Sequence, residues 1–522
     1  MKCCTVRGNG QFVQSLFSWC HRLSFPLITR QRLCVRRRNR LGQPPLPAGR
    51  TVMSIGVFLL ILTLAVAALM LLIIRLKMHP ALAIFIVTFG LALALGMTPI
   101  EAIAKINSGF GGTLTGIGIV MILGSVIAMG IQDTGAARSI ANFFQRLLKG
   151  KNLELGPSLA GYVLSIPVFG DITMILLAPI AHTMAAKTKM SMSSMAAWIN
   201  LGLFMTHSMV PPTPGILAIT IQLGADLGMV IFWGIVISLP TFLITWLLLR
   251  KWVAKEYIPP AEAYIEGETK EQPAAAAAAD GELEVWKAFL PLLLPVVLIS
   301  AASFGKGIFE AGSAPLIVLT FLGDRVVALF IGMMCAMYVA MSRMNSARPN
   351  ILAMDPEMTP GATAIELLTN SWVKRALIVA IVPLVVTGMG GAFGGVLQTA
   401  SAAKELAALL SESRILPVLV PWMIGFLMFL CVGSVTMAEL TAAALLQPIL
   451  PELGLSPVVA VLAIGAGAMG PNHVNNSGFW VMCGFYNLSA RQGLKYLTVP
   501  CTVSSFVALA IILILTQTGI MS

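Results

Sequence analysis

The sequence predicts an all-α polytopic membrane protein built as an inverted repeat, with five spans and one re-entrant hairpin in each copy and broken helices at the midplane. Hydrophobic residues make up 57% of the chain and charged residues only 11%, whereas soluble domains carry about 25% charged residues. Apolar runs of about 20 residues, the length that crosses a bilayer, recur along most of the chain. Two of these runs are interrupted at matching places by residues that break helices.

Basic residues are concentrated at the beginning of the chain. Residues 1–50 hold ten Lys or Arg and no acid, so the net charge of +12 does not indicate nucleic-acid binding. This stretch also lacks the continuous apolar segment of a secretory signal. We interpret residues 1–52 as a basic N-terminal extension that is disordered or spurious: either a transit-like presequence, or the result of a start codon assigned before a true start at Met53.

The residue pattern disfavours cofactor and metal chemistry. The chain has no Walker-type phosphate loop, so we expect no ATP coupling. The expected partners are the lipid bilayer, a small solute and its coupling ion, while homo-oligomer formation stays open. Four cysteines lie in apolar runs and are interpreted as small packing residues rather than disulfide or metal ligands: Cys335, Cys431, Cys483 and Cys501.

Residues 53–249 form the first predicted transmembrane repeat. Ala136–Lys151 is amphipathic and is placed at the membrane interface. Pro157–Ala186 is long for one span and short for two, and its interruption at Pro167–Asp171 indicates a re-entrant hairpin. The five predicted spans are Ser54–Ile74, Pro80–Met97, one that follows Gly109–Thr113 and ends near Gln132, Ser193–Gln222 with a break at Pro211–Gly215, and Met229–Leu249.

A polar linker, residues 250–284, separates the two repeats and is expected outside the bilayer. The same series of elements then recurs in residues 285–522, with an amphipathic piece at Ala402–Leu410 and a hairpin at Ile415–Leu450, interrupted around Gly433-Ser434. The five predicted spans are Trp286–Ser303, Pro315–Met341, Ala376–Leu397, Ser456–Tyr486 with a break at Gly470–Gly478, and Leu494–Leu515.

Local matches link the two halves. Pro212–Gly215 in the first half corresponds to Val474–Gly478 in the second, and a Thr-Met pair precedes a proline in both hairpins. An odd number of spans in each copy gives the two copies opposite orientations. If Met53 begins outside, Lys and Arg concentrate in the inner loops, as the positive-inside rule requires. The basic N-terminal stretch would itself prefer the inside, and this conflict argues against residues 1–52.

Glycine pairs recur in the predicted spans. Gly111-Gly112, Gly390-Gly391 and Gly394-Gly395 permit close helix contact or irregular backbone. They lack the strand-turn-helix context of a nucleotide-binding fingerprint. We therefore do not interpret the glycine pairs as a nucleotide site.

The stretch Gly470–Gly478, which reads Gly-Pro-Asn-His-Val-Asn-Asn-Ser-Gly, cannot continue a helix smoothly. In hydrocarbon, the backbone groups that it frees must face protein or a water-filled cavity. The N-terminus of a helix carries partial positive charge and free N–H groups, which suit a carboxylate. We therefore predict a substrate site at four half-helix ends, with simple capping of those helices as the alternative. The candidate substrate-binding residues are Thr213, Gly215, Ser434, Asn472, Asn475, Asn476 and Ser477.

Two acids, Asp171 and Glu439, lie inside apolar segments. Ionisable groups in a membrane are costly and usually face a cavity or a partner, and burial disfavours the charged form of a carboxyl, which suits proton exchange. His207 and His473 flank the two breaks and can relay protons near neutral pH. These four residues are the proton-coupling candidates; a structural ion pair, a neutral bonded carboxyl and a satisfied core histidine are the alternatives. Asp133 is expected to cap the end of its span.

These motifs resemble those of the gluconate permease (GntP-type) family of proton symporters, within the broad ion-transporter superfamily that has paired hairpins. The resemblance runs from about Met53 to the end of the chain. It implies uptake of gluconate, related sugar acids or D-serine, and hence of a small hydroxylated carboxylate. The motifs that carry it are Gly109-Phe-Gly-Gly-Thr-Leu114, Pro167-Val-Phe-Gly-Asp171, His207-Ser-Met-Val-Pro-Pro-Thr-Pro-Gly215, Gly388-Met-Gly-Gly-Ala-Phe393 and His473-Val-Asn-Asn-Ser-Gly-Phe-Trp480.

The chain departs from that family pattern at the predicted site. The family usually has His where this chain has Thr213, and Asp where it has Asn476. Glu439 occupies a position that is usually apolar. The departures bear on which acid is carried and on which group carries the proton.

We therefore predict a secondary active transporter of the cell inner membrane that imports a small hydroxylated organic acid by proton symport and alternating access. Gluconate-like sugar acids, glycerate and D-serine are the substrate candidates. Sodium coupling or exchange of another carboxylate is the alternative within transport. A passive channel is a further alternative. A membrane-embedded hydrolase that uses Asp171, Glu439 or His473 is a distant one, because a paired-carboxylate motif is absent, and no enzyme activity is expected.

Overall fold

A computed structural model of the chain describes residues 55–76, 78–149, 152–166, 170–261, 281–397, 399, 416–447, 449–474 and 476–521. Within these ranges the chain forms helices and turns and contains no strand, which confirms the all-α prediction there. The proposed extension at residues 1–52, the amphipathic piece at residues 402–410 and most of the linker lie outside the described residues.

The helices of the first half are α1 Ile55–Met70, α2 Pro80–Ala94, α3 Pro99–Thr134, α4 Ala136–Leu147, α5 Leu155–Leu164, α6 Gly170–Thr188, α7 Met192–Met209, α8 Pro214–Gln222 and α9 Leu227–Val253. The amphipathic helix α4 precedes the hairpin α5–α6, as predicted. The predicted broken span corresponds to α7 and α8 together. Its two parts are almost completely buried in the interior of the protein.

The helices of the second half are α10 Val285–Ile308, α11 Ala314–Leu322, α12 Arg325–Ser342, α13 Met344–Met354, α14 Ala364–Leu397, α15 Leu419–Val432, α16 Val435–Leu446, α17 Pro457–Ala468, α18 Ser477–Phe485 and α19 Ala490–Gln517. The order of elements repeats that of the first half: a long helix, a hairpin, a broken helix and a final long helix. In this order α14 to α19 correspond to α3, α5, α6, α7, α8 and α9.

Six helices of the described part are long and apolar enough to cross a membrane, namely α3, α9, α10, α12, α14 and α19. The other predicted spans are the shorter apolar helices α1 and α2 and the two broken helices. The six long helices by themselves indicate a multi-pass protein, but they are fewer than the ten predicted spans.

Three predicted span boundaries are wrong. Helix α14 begins at Ala364 rather than at Ala376, because a capping box between Thr363 and Glu366 starts it earlier. Helix α3 begins at Pro99 and continues through the glycine-rich Gly109–Thr113, because a capping box between Thr98 and Glu101 starts the helix earlier. The predicted span Pro315–Met341 is divided into α11 and α12, because the Asp324 carboxylate accepts hydrogen bonds from the first backbone N–H groups of α12.

Helices α3 and α14, the corresponding long helices of the two halves, run against each other over much of their length. Glycines permit this approach, since a Cβ added to Gly109 would lie 2.6 Å from the backbone oxygen of Gly391. A Cβ on Gly391 would in turn overlap the Thr113 side chain. Of the two alternatives for the glycine pairs, the structure shows close helix contact at Gly390-Gly391, whereas a Cβ on Gly111 or Gly112 would meet nothing within 4 Å.

We expect the substitution Gly109→Ala to destabilise the protein by about 1–3 kcal/mol, because the added methyl overlaps backbone that cannot rotate away. Gly112→Ala lies in the same helix and meets nothing within 4 Å, so it is the matched control for helix propensity. Thermal unfolding of the two purified variants in detergent measures the difference. Equal melting temperatures would contradict the close approach of α3 and α14.

The segment that follows α9 is held against the first turns of α19 by one carboxylate. Glu256 accepts hydrogen bonds from Gln492 Nε2 at 2.8 Å, Tyr496 Oη at 2.6 Å and Lys495 Nζ at 3.0 Å. These bonds favour the ionised carboxylate and lower the pKa of Glu256 from 4.5 to about 2.

Because the pKa of Glu256 is lowered on folding, its stabilising contribution is full above pH 4.5 and is lost as the pH falls towards 2. We therefore expect Glu256→Gln to lower the melting temperature at pH 7, and the difference from the unsubstituted protein to shrink between pH 4.5 and pH 3. Glu452→Gln, which changes an exposed carboxyl in a loop, should have no such effect. A difference that does not depend on pH would show that Glu256 acts through packing alone.

Candidate functional site

Four helices begin inside the fold, next to interruptions of the predicted spans and hairpins. Helix α7 ends at Met209 and α8 begins at Pro214, after a cis peptide bond between Pro211 and Pro212. Proline suits this position because the first residue of a helix has no use for its N–H group. Helix α17 ends at Ala468 and α18 begins at Ser477, so both predicted helix breaks are confirmed.

The hairpins supply the other two helix beginnings. Helix α6 begins at Gly170, and α16 begins at Val435 directly after α15. The turn between α15 and α16 needs Gly433, whose φ of 70° lies in the left-handed region that favours glycine. The interruption predicted at Gly433-Ser434 is therefore confirmed.

Helices α8 and α16 lie side by side with their N-termini at the same end. Near those N-termini, a Cβ on Gly215 would lie 2.9 Å from Thr436 Cα. At the opposite ends, Gln222 Nε2 donates a hydrogen bond to Gln447 Oε1 at 3.4 Å. No described residue of α8 or α16 is exposed, so this pair of helix ends is sealed within the protein.

The Glu439 carboxyl group lies against the N-terminus of α8. Glu439 is completely buried, and among the described residues neither of its carboxyl oxygens has a hydrogen-bond partner. A Cβ on Gly215 would lie only 1.9 Å from Glu439 Oε2, so the absence of a side chain at this glycine makes room for the carboxyl group. An ionised carboxylate in this position would be a buried charge without a hydrogen bond, which is unfavourable.

The N-terminus of α8 also lacks a side-chain cap. Thr213 precedes the helix but gives it no side-chain cap hydrogen bond; its hydroxyl instead donates to the backbone oxygens of His207 and Val210. By contrast, Ser434 caps α16 by accepting from Met437 N at 3.5 Å, and Asn476 caps α18 by accepting from Gly478 N at 2.6 Å. Of these three helix beginnings, α8 is the one that leaves its first N–H groups without a side-chain acceptor.

A buried pair of amides links the two broken helices. Asn472 Nδ2 donates to Asn200 Oδ1 of α7 at 3.5 Å, and Asn200 Nδ2 donates to Cys501 Sγ at 3.2 Å. The Asn472 side-chain oxygen finds no partner in the described part of the chain, while its backbone oxygen accepts a hydrogen bond from Thr498 Oγ1. Asn200 was absent from the predicted residues, although an amide in the middle of an apolar helix is a recognisable signal.

Helices α6 and α18 also pack a hairpin helix of one half against a broken helix of the other, but this pair is more exposed than α8 and α16. His182 Nε2 lies 2.9 Å from the backbone oxygen of Phe485, and the Tyr486 hydroxyl donates to the backbone oxygen of Met174 at 2.9 Å. Unlike the α8–α16 pair, these helices carry exposed positions, among them Ser477 and Trp480. The two halves of the predicted site therefore differ in their exposure.

The remaining candidates lie near the breaks. His207 is half-buried beside the first break, and no residue that the structure describes bonds to its Nδ1. His473 Nε2 lies 3.1 Å from the backbone oxygen of Leu430 in the hairpin helix α15. The side chain of Asp171 and the whole of Asn475 lie outside the described residues.

The capping role expected for Asp133 is wrong. Its carboxylate is fully buried and accepts from Arg375 Nη1 and Trp372 Nε1, both at 2.7 Å. Helix α3 ends instead at Gly135, which adopts the left-handed conformation. Asp133 therefore joins α3 to α14 through an ion pair that sequence spacing could not indicate.

Apolar helices long enough to span a bilayer, together with four helix beginnings buried among them, define a multi-pass membrane transporter. The chain belongs to the GntP family of permeases, whose family pattern, described as GntP family permease, matches residues 57–518. The predicted resemblance is thereby confirmed, as are the expectations of a transporter rather than an enzyme and of a multi-pass membrane location, which in bacteria is the inner membrane.

Several relatives share most of their length with this chain. An uncharacterized permease of Haemophilus influenzae is 32% identical over 455 residues, covering 85% of this chain and 89% of the relative. A gluconate permease of Pseudomonas aeruginosa is 30% identical, with 89% and 98% covered. The D-serine transporter DsdX of Escherichia coli K12 is 28% identical, with 86% and 96% covered.

One solved structure shares the fold. The YdaH transporter of Alcanivorax borkumensis, described as having an unusual topology, superposes with a TM-score of 0.59 over 84% of this chain and 99% of that chain. The two sequences are only 14% identical. The likeness therefore supports the fold and says nothing about the solute.

Proposed function

We propose that the protein imports a small hydroxylated organic acid by proton symport. The observation that carries this proposal is the uncapped N-terminus of α8 with the unpartnered Glu439 carboxyl group against it. A helix N-terminus suits a carboxylate, and a buried carboxyl group can take up and release a proton. Relatives named as gluconate permease, D-serine transporter and L-idonate transporter support this substrate class.

The proposed architecture is an inverted repeat of five spans plus one hairpin, with ten spans in all. The recurring element order supports it, as do two matched helix pairs: α8 packs against the hairpin helix α16, and α18 packs against the hairpin helix α6. Each broken helix thus meets the hairpin of the other half. Alternating access would then move one half against the other around helix ends near the midplane.

The substrate site is proposed where the two broken helices and the two hairpins meet. Amides and hydroxyls near these helix ends, such as Asn472 with its unpartnered side-chain oxygen, can bond hydroxyl groups of a sugar acid. Glu439 is the favoured proton carrier, because both of its oxygens are buried and unpartnered. His207, which lies just before the break that precedes α8, is the second candidate for the proton carrier, since nothing described bonds to its Nδ1.

Uptake of labelled gluconate, glycerate and D-serine into proteoliposomes tests the proposed function. We expect at least one acid to accumulate when the outside is acidic, and accumulation to stop when a protonophore collapses the gradient. Accumulation driven by an inward sodium gradient at equal pH would instead support sodium coupling. Failure to accumulate any of the three acids under either gradient would contradict the proposed substrate class.

A further inference from the structure

Glu439 breaks the correspondence between the two hairpins. When Ile172-Thr173-Met174 of α6 is aligned with Val435-Thr436-Met437 of α16, Glu439 falls opposite Leu176. At this helical position a carboxyl group is thus present in one hairpin and absent from the other, whose acid, Asp171, instead stands at the beginning of α6. The helix pair that contains Glu439 is also the sealed pair, and it contains the uncapped helix α8.

Described residues leave Glu439 without a counter-charge. Helices α8, α14, α15 and α17 pack against α16. Of these, α8, α15 and α17 contain no Asp, Glu, His, Lys or Arg, and the Cys431 side chain of α15 lies outside the described residues. The three charged residues of α14 have other partners. Glu366 accepts from Thr363, Lys374 pairs with Asp355 and Glu357, and Arg375 pairs with Asp133. The neighbouring helix α7 contributes only His207, which forms no bond to Glu439.

In the sealed arrangement of α8 and α16 the surroundings of Glu439 favour its neutral form, since nothing described bonds to either oxygen. Glu439 lies against the beginning of α8, where Gly215 and Ile216 carry the first backbone N–H groups of the helix and Thr213 supplies no side-chain cap. A carboxylate held by those N–H groups would therefore lie in contact with Glu439.

We propose that Glu439 and the N-terminus of α8 form a single site, in which the N–H groups of α8 hold the carboxylate of the substrate and the neutral Glu439 donates a hydrogen bond to it. The inference rests on the proposed function and adds the residue that links the proton to the substrate. The proton comes from the solution on the side where the substrate enters and leaves with the substrate on the other side. No bond other than that to the proton forms or breaks.

Charge explains the coupling. Two carboxylates about 4 Å apart in a protein interior repel one another strongly enough to weaken binding on the order of 1,000-fold. An ionised Glu439 therefore excludes the substrate anion, and a neutral Glu439 attracts it through a short, charge-assisted hydrogen bond. Substrate and proton must bind together, which is the condition for symport.

Counterflow of a labelled acid in proteoliposomes without any gradient tests the proposal, with wild-type protein and the variants Glu439→Gln and Glu439→Leu. For the wild type, we expect the KM of counterflow to rise about tenfold per pH unit once Glu439 ionises. Both variants should exchange substrate with a KM that does not vary between pH 5.5 and 8.5, and neither should accumulate substrate from a proton gradient. Glu452→Gln, which changes an exposed carboxyl group after α16, should behave like the wild type.

The outcomes separate the two proposals. If the wild type accumulates an acid from a proton gradient and Glu439→Gln does so equally well, Glu439 is not the coupling group although the proposed function stands. If the wild-type KM does not depend on pH, the proposed repulsion between an ionised Glu439 and the carboxylate of the substrate is wrong. Because Glu439→Leu reproduces the apolar residue of the corresponding hairpin, it serves as the readout should Glu439→Gln fail to fold.

Discussion

Substituting Asp133 by Asn should cost about 3–5 kcal/mol of stability, because it leaves the nearly buried Arg375 guanidinium without its counter-charge. The ion pair is enclosed: the side chain of Arg375 is 10% exposed and that of Asp133 is 0% exposed. Trp372 Nε1 donates to the same carboxylate, and Asn350 Nδ2 donates to the backbone oxygen of Asp133 at 2.8 Å. We expect the variant to express poorly and to unfold at a markedly lower temperature in detergent.

The double variant Asp133→Asn with Arg375→Met decides whether charge is the cause. Replacing a whole buried ion pair with neutral groups is often close to neutral, whereas removing one partner is not. The double variant should therefore recover most of the stability lost by Asp133→Asn. Glu284→Gln is the matched control, since it breaks the more exposed pair with Lys287, which solvent screens and which should contribute little to stability. Additive losses in the double variant would contradict this explanation.

Local sequence signals predicted the breaks in the fold well. Pro211–Gly215, Gly433-Ser434 and Gly470–Gly478 each contain residues that cannot continue a helix, and the structure interrupts the chain at each of them. A helix cap is also a local signal, but it rests on only two residues, here Thr98 and Glu101. The capping box at Thr98 was overlooked, and α3 therefore begins some ten residues before the predicted glycine-rich boundary.

Partners from distant parts of the chain could not be predicted. Asp133 was expected to cap its own helix, because nothing in the sequence indicates that Arg375, 242 residues away, lies beside it. Asn200 was overlooked for the same reason, since its partner Asn472 belongs to the other half. The apolar pattern shows which residues are buried, but it does not show which buried polar groups meet.

For the candidate site, the sequence identified residues but not their roles. Thr213, Ser434 and Asn476 are all polar residues before helices, yet the last two cap their helices while Thr213 turns its hydroxyl to the preceding chain. That difference depends on the rotation of a single side chain. The position of Glu439 against Gly215 is likewise a contact between the two halves. Geometry therefore selects one helix end from the several that the sequence offered.

Substituting Gly215 by Ala should reduce transport by about 100-fold, because a misplacement of about 1 Å at a reacting or binding site can have an effect of that size. The added methyl would lie 1.9 Å from Glu439 Oε2 and 2.9 Å from Thr436 Cα, so either the carboxyl group or the beginning of α8 must move. The effect on stability should be smaller, about 1–3 kcal/mol. Uptake rate and melting temperature of the same preparation distinguish the two effects.

Two further variants identify the cause of the Gly215→Ala defect. Gly116→Ala adds a methyl to α3 that lies 3.5 Å from Ile221 of α8. This is an ordinary van der Waals contact, so the variant should leave transport nearly unchanged. Combining Gly215→Ala with Glu439→Ala removes the clashing carboxyl group and should restore part of the counterflow but none of the proton-driven accumulation, because the space returns without the proton carrier. Full restoration of proton-driven accumulation would mean that Gly215 matters only for packing and that another group carries the proton.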